Sequence, residues 1–146
     1  MKSIFIMGAF FDTNKEDVNS YPLVKEAFEK KYKKIKLIQP IDIENYQKNY
    51  LINNPNKSYQ DSINAMVNYD LEMVKKSHLL FVNLSNKSFG VGMELGIAKE
   101  YNKNVIFVAK ENTKISNMVL GGFPKAKVNY YSSTQDLIKI IEELNI

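Results

Sequence analysis

The run Leu79-Leu80-Phe81-Val82 decides the fold, because four successive apolar residues leave no side of an extended strand facing water. Successive side chains of a β-strand point to opposite faces of a sheet, so such a strand is buried on both faces. This burial is typical of parallel strands whose sheet is covered by helices on each side. We therefore predict a parallel sheet between two helical layers.

Four further short apolar runs predict the remaining strands. They are Ile4-Phe5-Ile6-Met7, Lys36-Leu37-Ile38, Val105-Ile106-Phe107-Val108 and Val128-Asn129-Tyr130-Tyr131. Apolar residues at helical spacing lie between the runs, so strand and helix alternate to the end of the chain. The sequence predicts an α/β fold with a flavodoxin-like, doubly wound, five-stranded parallel sheet in a three-layer αβα arrangement. One domain is expected over residues 1–146.

Polar residues mark the expected helix beginnings and one unusual connection. Ser20 is expected to cap the first helix, and Ser58 with Asp61 has capping-box spacing ahead of another. A third helix is predicted from about 91 to 101. Residues 39–57 are polar and rich in Asn and Tyr, which predicts a long connection that is either a lid or a disordered insertion.

The charged and metal-binding residues exclude several classes of function. All 20 basic residues are lysine, and the net charge is +4. The lack of arginine disfavours nucleic-acid binding, because arginine has the planar fork that suits phosphates and guanine edges. There is no cysteine and the only histidine is His78, so no metal site and no cofactor are predicted. Without a long apolar run, no membrane partner and a cytoplasmic location are expected.

Ligands of open α/β sheets bind beyond the carboxyl ends of the strands, where three segments of this sequence stand out. The first is the loop after the first strand, with two small residues that allow a ligand to approach the backbone and two rings that offer a stacking surface. Both rings could equally fill the core. The loop residues are Gly8, Ala9, Phe10, Phe11 and Asp12.

The other two segments each place an acidic residue on the apolar side of a helix. Asp70 lies three and four residues after Val67 and Met66, and Glu94 lies three residues after Val91. An unpaired buried carboxylate is costly, so each acid must be hydrogen-bonded, protonated or open to a cleft. Glu94 is expected to be ionised, because it lies near the start of its helix.

The Glu94 segment also contains glycines that permit a tight turn or close packing. It runs Ser88-Phe89-Gly90-Val91-Gly92-Met93-Glu94-Leu95-Gly96, and its glycine spacing is not that of the dinucleotide fingerprint. Asp70 and Glu94 flank the same strand, so both are expected to reach one edge of the sheet. Paired carboxylates suit chemistry at the anomeric carbon of a sugar.

These segments carry a resemblance to a known family. The Ser88–Gly96 run resembles the nucleophile motif of the nucleoside 2-deoxyribosyltransferases and of the related 2′-deoxynucleoside 5′-monophosphate N-glycosidases. Tyr69-Asp70-Leu71, the first-strand loop and the segment Ile115-Ser116-Asn117-Met118 are similar to other family segments. The similarity follows the family order over nearly the whole chain.

The resemblance implies a pentosyltransferase that moves 2-deoxyribose between nucleobases in nucleoside salvage. Glu94 would attack C1′ and form a covalent deoxyribosyl ester, with Asp70 orienting Glu94 or exchanging a proton with the base. Deoxynucleosides and nucleobases would be the small-molecule partners. The segment that contains Ser116, Asn117 and Met118 would reach a neighbouring subunit, which implies a homo-oligomer with shared active sites. Substrate contacts are implied for the first-strand loop (Gly8, Ala9, Phe10, Phe11, Asp12) and for Ser88, Gly90 and Gly92.

Three departures from the family pattern keep alternatives open. Ser88 and Ser116 are more similar to the nucleotide hydrolases, whereas Phe11 stands where those enzymes place a basic residue. The family also uses a first-strand tyrosine to position the nucleophile, and this chain has Phe5 and Ile6 there, so Tyr69 is the candidate substitute. The alternatives are a 2′-deoxynucleoside 5′-monophosphate N-glycosidase and a nucleotide-binding module without catalytic activity.

Overall fold

A computed structural model describes residues 1–10 and 20–146 and confirms the α/β fold. The five strands are β1 (Lys2–Met7), β2 (Ile35–Ile38), β3 (Leu79–Asn83), β4 (Asn104–Lys110) and β5 (Val128–Tyr131). They form one parallel sheet in the order β2-β1-β3-β4-β5. The strand order reverses between β1 and β3, and the carboxyl ends of these two strands are where a ligand is expected in such a sheet.

In the part of the chain that the structure describes, six helices connect and cover the strands. They are α1 (Tyr21–Lys31), α2 (Pro40–Asn53), α3 (Tyr59–Lys76), α4 (Phe89–Glu100), α5 (Asn117–Gly122) and α6 (Thr134–Glu143). No helix in the described ranges is both long and apolar enough to be a candidate for crossing a membrane.

Alternate residues of the strands form two separate cores. Ile4, Ile6 and Phe81 face the layer that contains α1 and α6. Phe5 and Leu80 face the opposite layer, which contains α3 and α4. The continuous apolar runs therefore produce the burial on both faces that the sequence predicts.

The predicted connection over residues 39–57 is wrong, because α2 occupies most of it. Gln39 and Asp42 form a reciprocal capping box, and Pro40 occupies the first turn, where it needs no hydrogen-bond donor. Ile43 is the one buried residue of α2. This helix packs along α3 with a single buried apolar residue, so it lacks the apolar stripe by which helices are recognised.

The helix beginnings agree with the sequence in part. The Ser58 side chain accepts from the Asp61 backbone N–H at 3.1 Å, as its capping-box spacing predicts. Ser20 precedes α1, but its side chain makes no capping hydrogen bond, and its backbone carbonyl accepts from Val24 instead. The predicted helix over 91–101 begins earlier, at Phe89, because Ser88 caps it.

Candidate active site at the carboxyl ends of β1 and β3

The structure brings Asp70 of α3 and Glu94 of α4 together, as predicted from their positions flanking β3. Their carboxyl groups are hydrogen-bonded to each other, which requires a proton between two groups that otherwise only accept. The Oδ1 atom of Asp70 is buried and receives no hydrogen bond from a donor in the described part of the chain. In the described part of the chain, Glu94 is therefore the hydrogen-bonding partner of the Asp70 carboxyl group.

Burial and mutual repulsion hold a proton on this pair. Burial raises the pKa of Glu94 well above its usual range, and the hydrogen bond and negative charge of Asp70 raise it further. Burial also raises the pKa of Asp70, although the hydrogen bond with Glu94 opposes that rise. Because the two groups titrate together, the pair retains one shared proton at neutral pH.

The expectation that the helix start keeps Glu94 ionised therefore needs correction. Glu94 is the sixth residue of α4, which begins at Phe89. The electrostatic effect of a helix terminus fades within its first turn, so it is weak at this depth. Burial beside a second carboxyl group outweighs it.

Tyr21 lies close to this pair of acids, and the sequence did not reveal it. It is the first residue of α1, on the opposite layer from α3 and α4, and its hydroxyl donates to the backbone carbonyl of Gly8. Burial raises the pKa of Tyr21, and the charge of Glu94 adds to the effect, which places the hydroxyl near that carboxyl group. Tyr69, the candidate from the sequence, stacks on Tyr46 of α2 at a ring-centroid distance of 4.1 Å.

The first-strand loop approaches the end of β3 very closely, as its small residues suggest. Gly8 has φ +88°, and a Cβ atom there would overlap the backbone oxygen of Asn83. Asn83 is 2% exposed, and its side-chain amide donates to the carbonyl of Ala9 at 3.0 Å and to the Tyr131 hydroxyl at 2.9 Å. These bonds fix the position of the loop that Tyr21 contacts. The sequence analysis did not single out Asn83, although a polar residue at the end of a buried strand is a pattern by which it can be found.

The rings of the first-strand loop have different outcomes. Phe10 is 1% exposed and packs against Tyr21 and Phe81. Of the two roles that the sequence allowed, stacking on a ligand or filling the core, Phe10 therefore has the second. The predictions for Phe11 and Asp12 lie outside the described residues.

The hydroxyls of Ser88 and Ser116 both cap helices. Ser88 accepts from the Val91 backbone N–H at 3.2 Å, and Ser116 accepts from that of Met118 at 3.3 Å. Each hydroxyl keeps its own proton available for donation to a ligand. Ser116, Asn117 and Met118 are exposed, and in the described ranges of one chain no hydrogen bond joins them to Asp70 or Glu94.

The glycines of α4 lie at the surface and do not mediate close packing within the chain. A Cβ atom at Gly92 or Gly96 would meet nothing within 4 Å, and one at Gly90 would make only ordinary contact with the Ser88 hydroxyl. Beside them Phe89 is fully exposed, and Met93 is more than half exposed. This side of α4 is an uncovered surface of small and apolar residues.

The described ranges contain no group of three metal-binding side chains. Two of the cavities in these ranges have volumes of about 50 and 320 Å³, and neither of the two is lined by Asp70 or Glu94. The smaller lies at the opposite edge of the sheet beside His78, and the larger lies along β2 and α2.

Comparisons with known proteins give a match in structure. No protein-family model and no curated protein matches the sequence. Among solved structures, the chain is similar to the CMP N-glycosidase BcmB of Clostridium botulinum, with a TM-score of 0.62 and 14% identity. The match covers 97% of this chain and 99% of that one. At this identity the likeness supports the α/β fold over the whole length of the chain.

Proposed function

We propose that this protein is a pentosyltransferase of the nucleoside 2-deoxyribosyltransferase family, which moves 2-deoxyribose from one nucleobase to another. The observation that carries the proposal is the partly buried Glu94 carboxyl group, paired with Asp70 where the strand order reverses. Paired carboxyl groups suit attack at an anomeric carbon. Likeness in fold to a CMP N-glycosidase supports an N-glycosidic bond as the target.

The shared proton suggests separate roles for the two acids, with Glu94 as the nucleophile and Asp70 as the proton donor. When the proton resides on Asp70, the Glu94 carboxylate is ionised and attacks C1′ of the deoxyribose, forming an ester as the C1′–N bond breaks. The departing base takes up the proton that Asp70 holds. An incoming base then attacks C1′, loses its proton to Asp70 and releases Glu94. Two inversions give net retention at C1′.

Tyr21 supplies the hydroxyl that the family pattern places in the first strand and that β1 of this chain lacks. Its contact with Gly8 holds the ring above the end of β1, and its closeness to Glu94 allows it to fix the position of that carboxylate. We assign it the role of a positioning residue, because it acts through Glu94. The free protons of the Ser88 and Ser116 hydroxyls are available to the sugar.

Hydrolysis of a nucleoside 5′-monophosphate is the second candidate, and two observations favour it. The serines at 88 and 116 cap helices, so their hydroxyls stand beside free backbone N–H groups that suit a phosphate. The fold is also that of an enzyme whose substrate is a nucleotide. In this reaction Glu94 performs the same attack, and water replaces the second base.

A second copy of the chain is proposed to cover the outer side of α4 and α5. Phe89 and Met93 of α4 are exposed, as are Met118 and Leu120 of α5. Exposed apolar residues on two contacting helices are typical of protein–protein interfaces, and open space at Gly92 admits a partner side chain. The partner would bring its 116–118 segment towards Glu94 and complete a shared active site.

Two assays with one control variant test these candidates. Deoxyinosine with free adenine should give deoxyadenosine if the protein is a transferase. Deoxynucleoside monophosphates, or CMP, incubated alone should release base if it is a hydrolase. Product from the second assay only would contradict the transferase and support the hydrolase. Glu94→Gln should abolish product in either case while the fold is retained. If neither assay gives product, or if Glu94→Gln stays active, the enzymatic proposal fails in favour of a nucleotide-binding module.

A further inference from the structure

The larger cavity lies outside the Asp70–Glu94 pair and has the lining of a binding site. Its volume of about 320 Å³ falls at the lower end of the range for small-molecule sites, roughly 300–1,000 Å³. The outer edge strand β2 forms its floor and α2 forms one wall. Six of its lining side chains can form hydrogen bonds, and they are Lys36, Asp42, Asn45, Tyr46, Asn49 and Tyr69.

The wall formed by α2 is polar along its length. Asp42, Asn45, Tyr46 and Asn49 follow a spacing of three, four and seven residues, so they lie on one side of the helix. These four residues are exposed, so a polar, solvent-accessible side of α2 lines the groove.

Two stacked tyrosines provide a flat surface in this groove. The rings of Tyr46 and Tyr69 are parallel within 1°, with centroids 4.1 Å apart. Tyr46 is 37% exposed, so part of its ring remains uncovered. A further planar ring could extend the stack.

The groove offers hydrogen bonds of both kinds without a net charge. In the described ranges the side chains of Lys36, Asn45 and Asn49 have no protein hydrogen-bond partner, whereas one oxygen of Asp42 caps α2. Each asparagine amide presents a donor beside an acceptor, which matches the edge of a nucleobase. Lys36 balances Asp42, so the groove suits a neutral ligand better than a phosphate.

We propose that this groove binds a nucleobase, either free or within a nucleoside, at a site separate from the Asp70–Glu94 pair. The base stacks on the Tyr46 ring, and the amides of Asn45 and Asn49 bond to its edge. This binding does not require Glu94 to be a nucleophile, so it can succeed or fail independently of the proposed reaction.

Binding is measured on the full chain carrying Glu94→Gln, which prevents turnover of the ligand. Adenine, uracil and deoxyadenosine are titrated by calorimetry, and the side-chain amide signals of Asn45 and Asn49 are followed by NMR. These signals should shift on addition of base. Addition of Tyr46→Ala should weaken affinity about tenfold, which is the order expected for loss of one stacked ring. Tyr130→Ala, an exposed tyrosine on β5 at the other edge of the sheet, should leave affinity unchanged.

Asn49→Ala provides a second variant, because Tyr46→Ala also removes the packing on Tyr69. This exposed helical position tolerates alanine. Loss of the Asn49 amide should therefore weaken binding without changing thermal stability. Equal affinity for adenine and deoxyadenosine would identify the free base as sufficient, whereas binding of deoxyadenosine alone would show that the sugar is also held.

Three results would overturn the proposal: no binding at millimolar ligand, affinity unchanged by both groove variants, or amide shifts confined to residues around position 94. Binding of glucose but not of any base would assign the groove to carbohydrate instead, and would overturn the proposal as well.

Discussion

The carboxyl groups of Asp70 and Glu94 are hydrogen-bonded to each other across the contact between α3 and α4. Two like-charged groups approach this closely only if a proton remains between them. The arrangement costs the folded protein stability at neutral pH, because the unfolded chain would release that proton. A pair kept at such a cost is typical of a functional site.

Glu94→Gln is expected to stabilise the fold at neutral pH. The folded-state pKa values of Glu94 and Asp70 are raised, so the folded protein binds more protons than the unfolded chain once the pH exceeds the ordinary carboxyl pKa. Stability of the wild type therefore falls as pH rises towards the folded pKa, and glutamine removes much of that fall. We expect the free energy of unfolding to rise by about 1–3 kcal/mol at pH 7.5, which is the order of the penalty for one unsatisfied buried polar group.

Thermal or urea unfolding between pH 4 and 8 measures this difference. Glu100→Gln, on the exposed end of the same helix, should change stability little and should not alter its pH dependence. A Glu94→Gln protein that is less stable than the wild type at pH 7.5 would show that the pair is a stabilising structural contact.

Tyr21→Phe should lower kcat on the order of tenfold to a hundredfold and change KM little. The substitution removes the hydroxyl that lies near Glu94 and bonds to Gly8, while the ring still packs on Phe10. Steady-state kinetics separate the two constants. Tyr32→Phe is the matched control, since the Tyr32 hydroxyl also donates to a backbone carbonyl, that of Leu144, at 2.9 Å. Equal effects of the two variants would reduce Tyr21 to a structural role.

Gly8→Ala should destabilise the protein by about 1–3 kcal/mol, measured by chemical unfolding. Alanine is strained at φ +88°, and its methyl group would overlap the Asn83 backbone oxygen. Displacement of the loop should also reduce activity through the Tyr21 contact. Gly122→Ala, whose added Cβ atom would make only an ordinary contact with Lys99, should be nearly neutral. A neutral Gly8→Ala would contradict the close approach of β1 and β3 at this edge.

Phe89→Ser combined with Met93→Ser should convert an oligomer into monomers, because both side chains lie on the uncovered surface of α4. Light scattering after size-exclusion chromatography gives the mass. Ile52→Ser, an exposed apolar residue on α2, should leave the mass unchanged. A wild-type protein that is monomeric at the concentration used for the activity assays would contradict the shared site.

The sequence predicted the parts of this fold whose residues are buried on both sides. Runs such as Leu79–Val82 are typical of strands buried on both faces, so the sheet and its two layers followed from them. Helix α2 was not predicted, because Ile43 is its only buried residue. Without an apolar stripe, a polar segment of that length has the pattern of a loop. Asp70 and Glu94 were found because an acid on an apolar side of a helix is rare. Tyr21 was not found, since its closeness to Glu94 depends on how α1 enters from the other layer.

The covalent step is the centre of this account, and mass spectrometry of the acid-quenched, digested protein tests it most directly. The protein is mixed with a 2′-deoxynucleoside or its 5′-monophosphate, quenched in acid within the first turnover and digested. We predict a mass increase equal to one deoxyribosyl group, or its 5′-phosphate, on the peptide containing Glu94. The increase should be absent in Glu94→Gln. Product formation with the sugar on another residue, or with no adduct under any quench condition, would contradict the assignment of Glu94 as nucleophile.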